Sequence, residues 1–281
     1  MRDYVLMYVN GRRHEVRGGP VFQPLSDFLR GTLRLTGTKV VCAEGDCGAC
    51  VVLVGRPRDG RIEYQPLASC IQYVAQLDGA HVVTVEGLGY DGRLNPVQEA
   101  MVAHHGAQCG YCTPGFVVSL CSLFEQSPNP SRHEVGRALV GNLCRCTGYA
   151  SILESAAGVD GTAQRAIDDL YPPDRMLPEL DRAAADSVEL TVGKRRLFKP
   201  ATLDEAVSLR AAIPAATILA GGTDLGVVWN KSRLSLGESA SFRGAKDDIL
   251  CIGELNELRE CKLADGLWSI GAGATIAELE R

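Results

Sequence analysis

The stretch Cys42-Ala43-Glu44-Gly45-Asp46-Cys47-Gly48-Ala49-Cys50 decides how the first part of this chain can fold. Its cysteines follow the pattern C-x4-C-x2-C, and Cys70 comes after nineteen intervening residues, which is the spacing of plant-type [2Fe–2S] ligands. Four thiolates converge on two irons only if the loop curls tightly, and Gly45 and Gly48 permit this because they lack a Cβ atom. The curl also directs backbone N–H groups at the sulfurs, which helps to set a cluster's reduction potential.

The same residues leave two other interpretations open, a zinc site and a set of buried structural thiols. Zinc sites favour paired C-x2-C segments, or one such segment followed by H-x3-H. Here a C-x4-C step and two glycines surround the ligands instead. The spacing therefore favours an iron–sulfur cluster.

Composition and charge restrict the classes of function open to the chain. Its 281 residues are enough for more than one domain, and 46% hydrophobic with 22% charged residues is ordinary for a globular protein. The net charge of −5 predicts no nucleic-acid partner, and no apolar run is long enough to predict a membrane span. The first residues lack the apolar segment of a secretory signal, so none is expected.

Cysteine usage points to metal rather than disulfides. Eight of the eleven cysteines fall into two tight groups, whereas Cys121, Cys251 and Cys261 stand alone. A disulfide scaffold would be shorter, with its cysteines more evenly spread. We therefore expect a metal protein in a reducing compartment, the cytoplasm. Cys121 lies on the apolar face of a predicted helix, where core packing is its expected role.

The sequence of residues 1–88 predicts several strands and one helix. Asn10-Gly11 is a strong hairpin signal, because it lies between two short strand-like segments, residues 4–9 and residues 12–16. The apolar spacing within residues 24–35 predicts a helix. Further strands are predicted at residues 49–54, 61–64 and 81–85. A small twisted sheet crossed by one helix, with the cysteine loop at its edge, predicts a β-grasp, ferredoxin-like domain.

Residues 89–157 carry helix signals instead and predict a helical bundle. Asn95-Pro96 opens one helix, Thr113 and Pro114 suit the N-cap and first position of the next, and Ser131 begins a capping box. The second cysteine group lies beside these helix ends: Cys109, Cys112, Cys144 and Cys146. Helix N-termini favour an anionic cluster, but C-x2-C with C-x-C leaves zinc open when taken alone.

The last part of the chain begins after a change in composition. Residues 158–196 are rich in Asp, Ala and Pro, which predicts a linker. Residues 197–281 then form another domain, in which a buried strand at 216–220 enters Gly221-Gly222-Thr223-Asp224. Such a turn can hold a pyrophosphate through consecutive N–H groups, or can be a plain tight turn. Trp229 and Phe242 are expected to be packing residues.

Several motifs together resemble one family. They are Gly37-Thr38-Lys39, residues 42–50, the segment Gln108-Cys109-Gly110-Tyr111-Cys112-Thr113-Pro114-Gly115, and the segment Gly141-Asn142-Leu143-Cys144-Arg145-Cys146-Thr147-Gly148-Tyr149. This order resembles the iron–sulfur part of the molybdenum hydroxylases, the xanthine dehydrogenase and aldehyde oxidase family. Residues 198–281 resemble the start of that family's FAD domain. The whole is similar to the iron–sulfur and FAD small subunit of bacterial xanthine dehydrogenases.

The resemblance implies an α+β multidomain fold and an electron-transfer role. One [2Fe–2S] cluster would be held by Cys109, Cys112, Cys144 and Cys146, and the other by Cys42, Cys47, Cys50 and Cys70. A molybdopterin-binding catalytic subunit would supply electrons, with Gln108 contacting the pterin. Electrons would pass through both clusters to FAD and then to NAD or another acceptor. The flavin loop would comprise Ile218, Leu219, Ala220, Gly221, Gly222, Thr223, Asp224 and Leu225.

Two further expectations follow from the same comparison of motifs. Substrate hydroxylation would occur on a separate subunit in a hetero-oligomer, so we nominate no general acid or base in this chain. The FAD-binding part is expected to be partial, since the family's second glycine-rich flavin loop is not found here. The alternatives are a two-cluster electron-transfer module without functional flavin and, more remotely, a zinc-bound structural protein.

Overall fold

The computed structural model of the chain describes residues 1–236 and 248–279. It is a mixed α/β structure with two main sheets and a helical region between them along the chain. The predicted packing residue Phe242 lies outside the described residues. Among the described residues, no helix has both the length and the apolar character needed to cross a bilayer.

The strands form two sheets and one separate ribbon. The first sheet has the order β2-β1-β5-β3-β4, the second has the order β6-β7-β9-β8, and β10 pairs with β11. The strands are β1 Val5–Val9, β2 Arg12–Val16, β3 Val51–Arg58, β4 Arg61–Ala68, β5 Ala80–Val83, β6 Val188–Val192, β7 Arg195–Lys199, β8 Thr217–Leu219, β9 Asp248–Cys251, β10 Cys261–Ala264 and β11 Leu267–Ile270.

Ten helices connect the strands among the described residues, and α2 to α5 lie next to the second cysteine group along the chain. They are α1 Leu25–Asp27, α2 Pro96–Ala103, α3 Thr113–Gln126, α4 Arg132–Ala138, α5 Ala150–Ala157, α6 Ile167–Leu170, α7 Leu177–Ala185, α8 Leu203–Ala212, α9 Thr223–Leu236 and α10 Ile276–Leu279. A π-helical segment, Phe28–Thr32, continues α1, so the helix predicted within residues 24–35 is found.

The predicted hairpin at Asn10-Gly11 is confirmed. Both residues have positive φ, 47° and 74°, as a two-residue turn of the I′ type requires, and Val9 pairs with Arg12. β1 is buried along its whole length because both of its faces are covered: Val5, Met7 and Val9 lie in the main core, and Tyr8 packs with Leu180 of α7. Its inward side chains contribute to the main hydrophobic core, which also contains Leu25 and Leu29.

The helix starts of residues 89–157 are largely as predicted. Asn95 caps α2 and Ser131 caps α4, each within a capping box. The prediction for α3 is wrong by one residue, since the N-cap is Cys112 and Thr113 is already helical. The reason is local: Cys112 already has αR dihedrals, and its carbonyl accepts from the N–H of Phe116. Cys121 is buried in the core that α3 forms, as expected.

The stretch predicted as a linker, residues 158–196, is folded in the structure. It contains α6, α7 and β6, and the side chain of Leu180 in α7 is fully buried. The Tyr8 hydroxyl donates to Glu179 Oε2 at 2.5 Å, so α7 is held against the first sheet. The composition was misleading because proline at the first positions of α7 starts a helix rather than interrupting one.

A buried ionic group joins the first sheet to the second. Asp78 accepts from Arg2 at 2.8 Å and 2.9 Å and from Lys199 Nζ at 2.6 Å. Lys199 also donates to the carbonyl of Ala183 at the end of α7, at 3.0 Å. Asp78 and Lys199 are nearly inaccessible to water, so each charge depends on the other for compensation. This group holds the chain's N-terminus, α7 and β7 together.

The pH dependence of stability should follow His81, which is fully buried between β1 and β3. Burial lowers the pKa of His81 to about 3, well below its ordinary value near 6.5. The unfolded chain therefore binds a proton that the folded chain does not over this range. Stability is fully present above about pH 6.5 and falls as the pH drops towards 3, by up to about 1.4 kcal/mol per pH unit.

The variant His81→Gln removes this titration and should flatten the acid side of the stability profile. We expect it to be less stable than the wild type at pH 7, because the side-chain partners of His81, the Gly11 N–H and the Tyr64 hydroxyl, are disturbed. Thermal unfolding followed by circular dichroism from pH 7 to pH 4 measures the difference. The exposed His133→Gln serves as the control. An unchanged slope in His81→Gln contradicts the prediction.

Candidate functional site

The first cysteine group comes together as two pairs. The backbone N–H of Cys47 donates to Cys42 Sγ at 3.5 Å. The side chains of Cys50 and Cys70 are in hydrogen-bond contact with each other. The loop of residues 42–50 supplies three of the thiols from the end of the first sheet, where β3 begins, and Cys70 follows the end of β4. Each of the four predicted ligands is therefore in contact with one other member of the group.

The curl of this loop depends on residues with left-handed backbone. Gly45 and Gly48 have φ of 78° and 69°, and Ala43 has 55°. A Cβ atom at Gly45 would overlap the side chain of Ile71, and one at Gly48 would overlap the carbonyl oxygen of Gly141. Both glycines are thus required by the backbone conformation and by the closeness of neighbouring residues.

The loop favours thiolates at two of its positions. Burial alone would raise the pKa of Cys42, but backbone N–H groups of Glu44, Cys47 and Asp46 directed at the sulfur lower it. The pKa of Cys50 is lowered to about 7, chiefly by the hydrogen bond from Cys70, whose own pKa is raised by that contact. Thiolates are the form that binds metal, so Cys42 and Cys50 are favoured in that form, whereas burial and the neighbouring thiols raise the pKa of Cys47 and Cys70.

The second cysteine group also forms two pairs. Cys146 Sγ lies 3.6 Å from Cys109 Sγ, and both residues are exposed. Cys144 is buried and shares a hydrogen bond with Cys112. Burial would raise the pKa of Cys144, but the hydroxyl of Thr147 at 3.2 Å and its N–H at 3.5 Å help to lower it to about 7. The pKa of Cys112 is raised to about 12 by burial and by Cys144.

The arrangement in pairs bears on the kind of metal that fits. Within residues 1–236 and 248–279, no three His, Cys, Asp or Glu side chains gather around one point as a single metal ion requires. A structural zinc site needs four ligands around one ion. A [2Fe–2S] cluster has two irons, each held by two protein ligands. Two thiol pairs in each group match the two protein ligands that each iron of a [2Fe–2S] cluster needs.

The two cysteine groups are in direct backbone contact with each other. The N–H of Leu143 donates to the carbonyl of Cys47 at 3.0 Å, and the side-chain amide of Asn142 donates to the carbonyl of Gly48 at 3.3 Å. A Cβ atom at Gly115, in the first turn of α3, would overlap the Gly48 carbonyl. The two groups can be this close because glycines face each other between them.

Gln108 lies at the surface beside the second group. It is exposed, immediately precedes the exposed Cys109, and lies in the bend that leads to α3. Its predicted contact with a pterin stays a prediction.

The predicted flavin loop lies at the junction of the first and second sheets. Leu219 ends β8 in the core, Gly222 has φ of 73°, and α9 starts at Thr223. The loop lines a cavity of about 200 Å³ together with β3 and β4. The cavity's charged side chains come from both parts of the chain: Arg56, Arg58, Glu63, Glu254 and Arg259.

The fit to FAD is partial. Guanidinium groups and a glycine loop at a helix start suit a diphosphate. Arg56 and Arg259 are both near Glu254, at 3.1 Å and 3.9 Å, so part of their charge is already compensated. Sites for drug-sized ligands are usually larger than this cavity, which thus accounts for only a portion of the dinucleotide.

Sequence reasoning missed the residues that the first part contributes to this junction. Arg56 and Gln76 line the cavity, and Asn230 contacts the cysteine loop from α9. None of them lies in a recognisable motif. The structure points to Gln76 and Asn230 because both amides are buried, and buried amides require hydrogen-bond partners.

Two protein-family models match the chain. One is described as a [2Fe-2S] binding domain and matches residues 84–157. The other is described as the FAD binding domain in molybdopterin dehydrogenase and matches residues 190–281.

Curated relatives show the same similarity, and one solved structure is reported beside them. Aldehyde oxidase 4 of Cavia porcellus is 34% identical over 99% of this chain and 23% of its own length. Xanthine dehydrogenase of Emericella nidulans is 29% identical with the same coverage. The chain thus spans about a quarter of the length of these curated relatives. The structure of quinoline 2-oxidoreductase from Pseudomonas putida 86 is 36% identical, covering 57% of this chain and 93% of that one, with a TM-score of 0.49.

The contact at Gly48 should make that residue far less tolerant of substitution than other glycines with the same backbone. Gly48→Ala combines the strain of positive φ with overlap against Gly141, and we expect a loss of at least about 3 kcal/mol. Gly92 has φ of 70° and nothing within 4 Å, so Gly92→Ala should cost only about 1–2 kcal/mol. Thermal unfolding of both variants checks this. Equal losses of unfolding free energy in the two variants would show that the contact at Gly48 does not contribute to stability.

Proposed function

The chain belongs to the molybdenum hydroxylase family, that of xanthine dehydrogenase and aldehyde oxidase, and we propose that it is the electron-transfer part of such an enzyme. It contains a [2Fe-2S] binding domain and an FAD-binding domain of this family. The activity of a complete enzyme would be hydroxylation of a heteroaromatic compound or an aldehyde with oxygen from water. We assign that step to a separate molybdopterin-binding subunit.

We propose that each cysteine group holds one [2Fe–2S] cluster. Cys42, Cys47, Cys50 and Cys70 would hold the first, in a ferredoxin-like domain of residues 1–88. Cys109, Cys112, Cys144 and Cys146 would hold the second, in a helical domain of residues 89–157. The pairing of thiols within each group supports this assignment. When bound, the clusters supply one-electron transfer and FAD supplies exchange of two electrons with NAD or another acceptor.

The observation that carries the proposal is the hydrogen bond from Leu143 N–H to the Cys47 carbonyl, 3.0 Å. Leu143 directly precedes the ligand Cys144, so this bond joins a ligand of each group through backbone atoms alone. It gives electrons a short bonded route from the second group to the first. The first group in turn is adjacent to α9, which begins at the flavin loop.

The exposure of the second cysteine group supports a role for this face in receiving electrons from a partner. Cys109 and Cys146 are exposed, and several apolar side chains of residues 89–157 are open to solvent. These side chains are Val102, Tyr111, Val140 and Leu143. A groove of about 420 Å³ lined by Met101, Pro114 and Val117 lies on the same part of the chain. We propose that this face binds the molybdopterin-bearing subunit in a cytoplasmic hetero-oligomer, with Gln108 near the pterin.

At the other end, residues 218–225 would bind FAD. The N–H groups that follow Gly221 and Gly222 would donate to the diphosphate, and Arg56 and Arg58 would add positive charge from β3. The alternative is a two-cluster module without functional flavin, which the small size of the cavity favours. Denaturing the purified chain and measuring released flavin separates the two: bound FAD supports the first, and its complete absence supports the second.

Iron content should respond to the two groups separately. We expect about four irons and four sulfides per chain, and about half of each in Cys70→Ala and in Cys144→Ala. The reduced protein should show two electron paramagnetic resonance signals, and each variant should lose a different one. Cys121→Ala is the control, because its thiol is buried in the helical core and is not a proposed ligand.

The same metal and sulfide analysis can also contradict the proposal. Zinc without acid-labile sulfide would overturn both iron–sulfur assignments. Loss of iron in Cys121→Ala, with the fold intact by circular dichroism, would overturn the assignment of ligands.

A further inference from the structure

Two buried side-chain amides cross the boundary between the cysteine loop's domain and the flavin loop's domain, in opposite directions. Gln76 reaches from the first part to the flavin loop, and Asn230 reaches from α9 to the cysteine loop. Their exposed fractions are 5% and 1%. We propose that Gln76 and Asn230 are positioning residues that fix the distance and orientation of the flavin loop relative to the first cluster. This inference rests on the proposed function.

Gln76 controls which way the flavin loop faces. Its Nε2 donates to the carbonyls of Ala220 at 3.0 Å and Gly221 at 3.1 Å. With these carbonyls directed at Gln76, both donor hydrogens of its amide are used. The carbonyls are thereby kept from facing a bound diphosphate, which they would repel. Gln76 also lines the cavity beside the loop.

Asn230 fixes the backbone around the first cysteine group in a similar way. Its Nδ2 donates to the carbonyl of Ala43 at 2.9 Å and to that of the ligand Cys70 at 2.6 Å. These two carbonyls belong to the two separate segments that supply the first cluster's thiols. One side chain of α9 therefore joins both segments, and both of its donor hydrogens are used.

Tyr73 connects the two amides. Its backbone N–H donates to Gln76 Oε1 at 3.0 Å, and its hydroxyl donates to Asn230 Oδ1 at 3.2 Å. Its ring packs edge-on against Trp229, with centroids 5.0 Å apart. The acceptor of each amide is thus satisfied by the same residue. A fully satisfied buried network of this kind is rigid, because any movement leaves a polar group unpaired.

The packing of α9 fits this role. A Cβ atom at Gly226 would overlap the carbonyl oxygen of Ile71, so the helix approaches the segment after Cys70 more closely than any other residue would allow. Lys231 forms an ion pair with Glu44, between the ligands Cys42 and Cys47, at 2.9 Å. One helix therefore begins at the flavin loop and contacts both cluster segments less than three turns later.

The consequence for the first cluster is electrostatic as well as geometric. The positive end of the Asn230 amide faces the cluster loop, and a cluster gains negative charge on reduction. Removing the amide should therefore lower the reduction potential of the first cluster and leave that of the second unchanged. Backbone and hydrogen-bond geometry around the sulfurs are among the factors that set such potentials.

The test uses the full chain with both clusters reconstituted. Asn230→Leu keeps the side chain's approximate volume and removes both donors. We expect unchanged iron and sulfide content, a shifted electron paramagnetic resonance signal and a lower midpoint potential for the first cluster only. Val228→Ala, on an exposed position of the same helix, is the matched control and should retain the native signal.

A second variant tests the flavin end. Gln76→Glu keeps the acceptor for the Tyr73 N–H but replaces the donor that faces the Ala220 and Gly221 carbonyls. We expect FAD to bind about tenfold more weakly, measured by flavin fluorescence titration, because two hydrogen bonds are lost and replaced by repulsion.

The outcomes separate this inference from the proposed function. Native signal and potential in Asn230→Leu, with both clusters loaded, would overturn the inference alone. So would unaltered FAD affinity in Gln76→Glu. A wild-type chain that loads both clusters but binds no FAD would contradict the flavin step of the proposed function, whereas the Asn230→Leu comparison would still decide the role of Asn230.

Discussion

The structure depends on one backbone contact, the close approach of the cysteine loop at Gly48 to the segments around Gly115 and Gly141. At this point main-chain atoms of the two segments are so close that Gly48 has no room for a Cβ atom, and the Asn142 side-chain amide donates to the Gly48 carbonyl. The contact allows the hydrogen bond from Leu143 to Cys47, which joins the two cysteine groups. On its other side the same loop is held by Asn230 from α9. The loop is therefore fixed from both neighbouring parts of the chain.

A second constraint keeps those parts in place. Asp78 lies between Arg2 and Lys199 with almost no access to water. Removing one partner of such a buried group typically costs about 3–5 kcal/mol, because the remaining charge is left without compensation. The group therefore favours a single arrangement of the first sheet, α7 and β7. That arrangement brings the flavin loop against Gln76.

The sequence was sufficient to predict those features that depend only on neighbouring residues. The hairpin at Asn10-Gly11 and the capping boxes at Asn95 and Ser131 were predicted because a few adjacent residues determine each of them. The start of α3 was placed one residue late, since the dihedrals of Cys112 are set by the cysteine turn before it. The folded state of residues 158–196 was missed because its stability comes from contacts with the first sheet.

The sequence by itself determined the ligand candidates and their family, because cysteine spacing and glycine positions restrict how a short loop can curl. It also determined where α2 and α4 begin, because their capping boxes are local. Only the tertiary structure decided which thiols form pairs, how the two groups meet, and which amides cross to the flavin loop. Those relations join residues up to 187 positions apart, such as Asn230 and Ala43. Contacts of this kind arise when separate elements pack, and a single sequence carries no local pattern for them.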